Sequence, residues 1–220
     1  MLEIIFKLIS WFVLWILVWL IFYFLNKKKI NYTQRHWLAS AFFFLVSLLI
    51  VLFYNKDLFF LIEPKFQVLP FIFLILMLVL NYLAYKYVGY FYPNYKKAFE
   101  FDDFYFFAKF DKKYFLSKSF EILFQQIMIA LLAIWLLSSG LAFFMVVFAF
   151  ALIFGLGHVP NLFFGNKSIG LFFLIASIVS SFAFPFLILN VEWGFVYSYI
   201  VHWVFYIIAG FLFIRSTNNL

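Results

Sequence analysis

Glu121, His158 and His202 are ionisable side chains within or at the edge of long apolar runs, and each has a partner one helical turn away. Glu121 opens "EILFQQ", with Gln125 four residues on and Gln126 beside it. Phe154 and His158 are spaced alike in "FGLGH", as are His202 and Tyr206 in "HWVFY". On a helix, residues four apart share a face, so three segments each offer one polar face. A charged group at the centre of a span costs about 2.5–3.5 kcal/mol on insertion scales, which makes each a candidate for function. As a set, one carboxylate and two imidazoles match the donors of a catalytic zinc site. The plainer readings are an interfacial Glu121 facing water, and histidines packed between helices with their ring nitrogens satisfied.

The elements that must position these groups are set by composition. Of 220 residues, 68% are hydrophobic, 27% aromatic and 11% charged, whereas soluble domains carry about 45–50% apolar and about 25% charged residues. The chain is therefore read as an integral membrane protein. The 39 phenylalanines, with frequent Lys and Asn, look like the codon bias of an AT-rich genome. The absence of cysteine excludes disulfide and thiolate chemistry. The apolar stretch from Leu8 to Leu25 is too long for a signal peptide and lacks a small-residue cleavage site, so it is expected to remain as a span.

Seven membrane helices are predicted, near 8–25, 37–54, 68–88, 120–137, 141–157, 169–189 and 194–214. Each is close to the ~20 apolar residues that cross ~30 Å of hydrocarbon, and none shows the alternation of a barrel strand. The pair flanking "SSG" at 138–140 is read as two helices joined by a tight hairpin. Taking alternate loops, thirteen Lys and Arg fall on one side and three, Lys7, Lys56 and Lys65, on the other. The positive-inside rule then puts the N-terminus outside and the C-terminus in the cytoplasm. Lys7 and Lys86 lie at helix ends, where snorkelling accounts for them. The formal charge of +7 thus reports orientation, and no nucleic-acid partner is expected. The longest loop, 89–119, interleaves aromatic pairs with mixed charges, as would an amphipathic helix on the cytoplasmic leaflet or a solvated linker with an aromatic belt. Glu121 and His158 are expected near the cytoplasmic ends of their spans, and His202 deeper, ~12 Å from the outer start of its helix.

"FEILFQQ" at 120–126, "FGLGHVPNLFFG" at 154–165 and "YSYIVHWVFY" at 197–206 together resemble the CPBP family of intramembrane endopeptidases, the CAAX-protease and bacteriocin-processing or self-immunity proteins. That family is marked by EExxxR, FxxxH and HxxxN on successive helices. The resemblance covers about residues 115–212. It divides the chain into 1–119, the N-terminal helices and cytoplasmic loop, and 120–214, a four-helix CPBP-like core. FxxxH is intact as Phe154 and His158, with Asn161 just downstream. Phe120 stands where the first glutamate falls, Gln125 where the arginine falls, and Tyr206 where the asparagine falls.

What the resemblance implies is an endopeptidase of the bacterial plasma membrane. It would cleave a peptide or lipidated, membrane-anchored protein near the cytoplasmic face, in contact with membrane lipid and with no metal or other cofactor. A glutamate and a histidine activate a water for attack on the scissile carbonyl, while the last His and Asn steady the oxyanion. Glu121, His158 and His202 would be catalytic, supported by Gln125, Phe154, Asn161 and Tyr206. Glu121 would act from a position about 100° around the helix from the usual one, and Tyr206 would offer its hydroxyl in place of an amide. The alternative is a catalytically degenerate relative that keeps the cavity to bind a membrane partner, for instance in immunity. On either reading the topology is testable. Reporter fusions at Arg215 and within the Asn55–Gln67 stretch are expected to report opposite sides of the membrane, and the same side for both would overturn the assignment.

Overall fold

The computed structural model describes residues 2–32, 34–58, 112–163 and 167–217. Nearly all of these residues are helical and no strand occurs among them, so the chain is an all-α polytopic membrane protein. Its helices are α1 (Leu2–Lys27), α2 (His36–Phe53), the single turn α3 (Asn55–Leu58), α4 (Lys112–Ser138), α5 (Phe143–Leu156), α6 (Lys167–Asn190) and α7 (Gly194–Thr217), with a 3-10 turn at Val159–Leu162. Lipid offers the backbone no partners, so a spanning chain must close its hydrogen bonds internally, as helices do. Among the described residues four helices are long and apolar enough to cross a membrane, namely α1, α2, α4 and α6; α5 and the Gly194–Ile207 part of α7 are apolar but shorter. The expected span at 68–88 and the loop at 89–111 lie outside the described residues.

The helix ends follow local chemistry. α1 closes with Lys29 in the left-handed region at φ 62, where Ile30 N–H donates to Leu25 O at 3.0 Å and Lys29 N–H to Asn26 O at 2.9 Å. That is the Schellman pattern, here with lysine where glycine is usual. The expected hairpin at "SSG" is present. Ser138 and Ser139 donate their hydroxyls back to Trp135 and Leu136 carbonyls, and Gly140 turns the chain at φ 82. Between α6 and α7 the backbone approaches so closely that a Cβ on Gly194 would lie 1.7 Å from the Leu187 carbonyl oxygen.

α4 differs most from expectation. It begins at Lys112 and not near 120, so Lys112, Lys113 and Lys118, expected in the cytoplasmic loop, are helical. Lys118 is completely buried and drops out of the loop-charge count, which keeps its asymmetry without it. In its most apolar window α4 is 83% buried, against 22–33% for the other three long helices. It is thus a core helix, while α1, α2 and α6 present most of their surface outward.

Among the described residues the chain forms two compact units, 2–20, 50–58, 125–163 and 167–198 in the first and 21–32, 34–49, 112–124 and 199–217 in the second. α1, α2, α4 and α7 each contribute to both. In the first unit Trp11 donates its indole N–H to Met128 O at 2.7 Å. Lys7 is paired with Glu3 at 3.1 Å and with Asp57 of α3 at 3.2 Å, so ion pairing and not snorkelling alone fixes it. Gln126 and Ser198 join α4 to α7 reciprocally, Nε2 to the Ser198 carbonyl at 3.2 Å and Ser198 Oγ to Oε1 at 3.0 Å. In the second unit Phe43 packs on Phe22 and Phe124. Ser117 of α4 meets Ser40 of α2 at 3.1 Å, and Phe115 stacks on Trp203 of α7 at 4.9 Å.

Candidate functional site

The second unit brings together two of the three expected catalytic residues. Glu121 has no exposed surface, and it lies nine residues into α4, about 13 Å from the helix start. Lys118, one turn earlier and equally buried, donates to Oε1 at 2.7 Å. The Tyr32 hydroxyl, from the turn between α1 and α2, donates to Oε2 at 2.5 Å. Each carboxylate oxygen therefore carries a strong donor. Burial, and then the Glu121 charge, push the Tyr32 phenol well above its usual range, so it stays protonated and keeps donating.

The ammonium is shared with aromatic faces. Lys118 Nζ lies 4.0 Å from the Tyr206 ring centroid and 5.6 Å from that of Tyr32, within cation–π range. His202, buried on α7, stacks on Tyr206 at 5.3 Å with 16° between the rings, and Tyr114 meets Tyr32 edge-on at 5.5 Å. Glu121, Lys118, Tyr32, Tyr206 and His202 thus form one buried polar and aromatic cluster. Tyr206 offers its ring face to a cation, a role different from the hydroxyl donor expected of it. Phe120 packs edge-on against Phe44 of α2 at 5.5 Å.

His158 belongs to the first unit and sits just past α5, at the N-cap of the 3-10 turn, with Pro160 held inside that turn. Its ring meets Phe154 edge-on at 4.6 Å and tilts against Trp15 of α1 at 5.9 Å. Trp15 also donates its indole N–H to Gly157 O at 3.3 Å. His158 Nδ1 lies 2.8 Å from the Phe154 carbonyl, which can only accept, so Nδ1 carries the proton and Nε2 keeps its lone pair. The FxxxH spacing is realised as this ring-to-backbone bond and the aromatic contact together. Gln125 is buried in the first unit, while Asn161 falls in the 3-10 turn with its side chain outside the described residues. Among the described residues no group of three His, Cys, Asp or Glu side chains is placed to hold a metal ion, so the zinc reading gains no support.

Lys118, Tyr32 and Trp15 were missed from the sequence. The spacing of Lys118 and Glu121, three apart in "KSFE", was the available signal for the first. Comparison of the chain with protein-family models, with curated proteins and with solved structures finds no match in any of the three.

Two outcomes follow from this geometry. Glu121→Gln is expected to lower stability by about 3–5 kcal/mol, because it leaves a buried ammonium uncompensated. Lys118→Met combined with Glu121→Leu should recover all but the cost of the stranded Tyr32 hydroxyl, about 1–3 kcal/mol. Thermal unfolding in detergent reads both, and a double-variant loss equal to the sum of the Lys118→Met and Glu121→Leu losses would show the pair uncoupled. For His158, burial pushes the imidazole below its usual 6.5, against the raising effect of the Phe154 carbonyl. The fold disfavours its charged form, so its contribution is complete above pH 6.5 and declines as pH falls below that value. His158→Gln should flatten that part of the stability profile, and an unchanged profile would contradict it.

Proposed function

We propose that the chain is a CPBP-type intramembrane protein of the plasma membrane, its C-terminus cytoplasmic, that holds a peptide or lipidated segment of a membrane-anchored partner without cleaving it. The observation that carries this reading is the Glu121 carboxylate, tied at one oxygen by a buried ammonium and at the other by a phenol. A general base must take a proton from water within hydrogen-bond reach, and this carboxylate is already committed to two donors of its own chain. Phe120 and Tyr206 add to the argument, since neither supplies the carboxylate or amide of the family pattern. Losing a general base forfeits about 10²–10⁴ in rate, and losing one oxyanion donor about 10²–10³. What is left in working form is FxxxH, a rigid aromatic shelf with one imidazole lone pair, suited to accepting a hydrogen bond from a bound peptide N–H. Self-immunity is one setting for such a binder.

One observation favours the second reading, an active endopeptidase. The Phe154 carbonyl fixes the tautomer of His158 that leaves Nε2 able to receive a proton from water. The parent protein in liposomes, incubated with a prenylated or membrane-anchored peptide, is expected to retain the peptide without cleavage, and His158→Ala to weaken retention at least about tenfold. Cleavage by the parent that His158→Ala abolishes, with the protein still folded, would replace the binding reading by the endopeptidase one. Retention unchanged in His158→Ala, with no cleavage, would remove both.

A further inference from the structure

The turn between α1 and α2 carries Lys27, Lys28, Lys29 and Arg35, all exposed, and no Asp or Glu occurs in the sequence between Glu3 and Asp57. None of the four has an ion-pair partner among the described residues. A charge run of this kind is ordinarily a flexible, solvated loop, and this one is not built that way. Its path is fixed by the Schellman bonds from Ile30 and Lys29. Asn31, itself buried, bonds Asn26 Oδ1 at 3.2 Å and accepts from the Gln34 backbone N–H at 2.9 Å. Tyr32 anchors the turn to Glu121.

Within this frame Lys29 holds the left-handed conformation at φ 62, which costs a side-chain-bearing residue energy that glycine would avoid. The lysine there aims a cation outward from a constrained backbone. Lys27 rests its ammonium 4.5 Å from the Tyr23 ring centroid. Tyr23 and Trp37 flank the turn at 48% and 61% exposure, at the ends of two apolar spans where aromatic rings settle at headgroup level.

We infer that this turn is a preformed binding surface for anionic phospholipid headgroups. The four cations take the phosphate and its added negative charge, while Tyr23 and Trp37 lie against the glycerol and upper acyl region. Each cation near an anionic surface contributes about fivefold in association. Because the turn is locked through Tyr32 to the buried cluster, the headgroup meets an ordered surface and not a chain that must first be ordered.

The test uses the full chain in phosphatidylcholine bilayers containing spin-labelled phosphatidylglycerol or spin-labelled phosphatidylcholine, with the motionally restricted fraction read by electron paramagnetic resonance. The parent is expected to prefer the anionic label at least about fivefold, and the K27Q/K28Q/K29Q/R35Q variant to lose that preference. K27R/K28R/K29R, which keeps the charge, should retain it, and the single variants K28Q and R35Q should each lose part. A K96Q/K97Q/K109Q variant removes cations elsewhere in the chain and should leave the preference intact. Equal loss in that control would mean that net charge and not this turn selects the lipid, and the proposal would fall. It would also fall if the single variants kept the full preference, or if inorganic phosphate displaced the anionic label as well as a charged lipid does.

Discussion

A lysine and a glutamate three residues apart on one helix, neither with any exposed surface, set the terms for the second unit. Removing two charges from water is expensive, and their attraction offsets the cost only where further hydrogen bonds complete the geometry. Those further contacts come from other parts of the chain. Tyr32 supplies the donor for the second carboxylate oxygen, and Tyr206 supplies the ring face for the ammonium. The α1–α2 turn must therefore hold Tyr32 inward, and α7 must bring Tyr206 and His202 to the same level. Within this unit the placements of Tyr32 and Tyr206 answer one electrostatic requirement.

The first unit rests on a different device. Trp11 and Trp15 of α1 stack at 5.2 Å and lie nearly parallel, with 8° between them. Each also donates its indole N–H to a backbone carbonyl far along the chain. An indole buries a large apolar surface while keeping one polar atom that needs a partner, so each tryptophan docks with a defined direction. Trp15 thereby fixes both the carbonyl of Gly157 and one side of the His158 ring. This makes α1 part of the histidine's environment, although by sequence it stands apart from the motif-bearing half.

Apolar composition and span length made the helical membrane fold legible, and the glycine and serines at 138–140 correctly marked a hairpin. The start of α4 was not legible. Three lysines in "KKYFLSKS" read as loop charges; the Lys118–Glu121 spacing was a local signal, but nothing local reveals the aromatic face from α7 above Lys118. The i, i+4 spacing did place His202 beside Tyr206 and Phe154 beside His158. Tyr32 lies 89 residues from Glu121 and Trp15 142 residues from Gly157. No periodicity links positions that far apart, so the partners that decide what each site residue can do came only from tertiary structure.

Phe120 and Tyr206, where the CPBP resemblance would place a glutamate and an asparagine, are integrated into this packing. Phe120 is half-buried and fills the contact with Phe44. Tyr206 likewise gives Lys118 a polarised face that an asparagine amide could not provide, and its stacking with His202 holds that imidazole in the same layer. Tyr206→Asn would therefore remove a support of the ion pair. A water-activating role for Glu121 would require release of its oxygens, which Lys118 and Tyr32 hold.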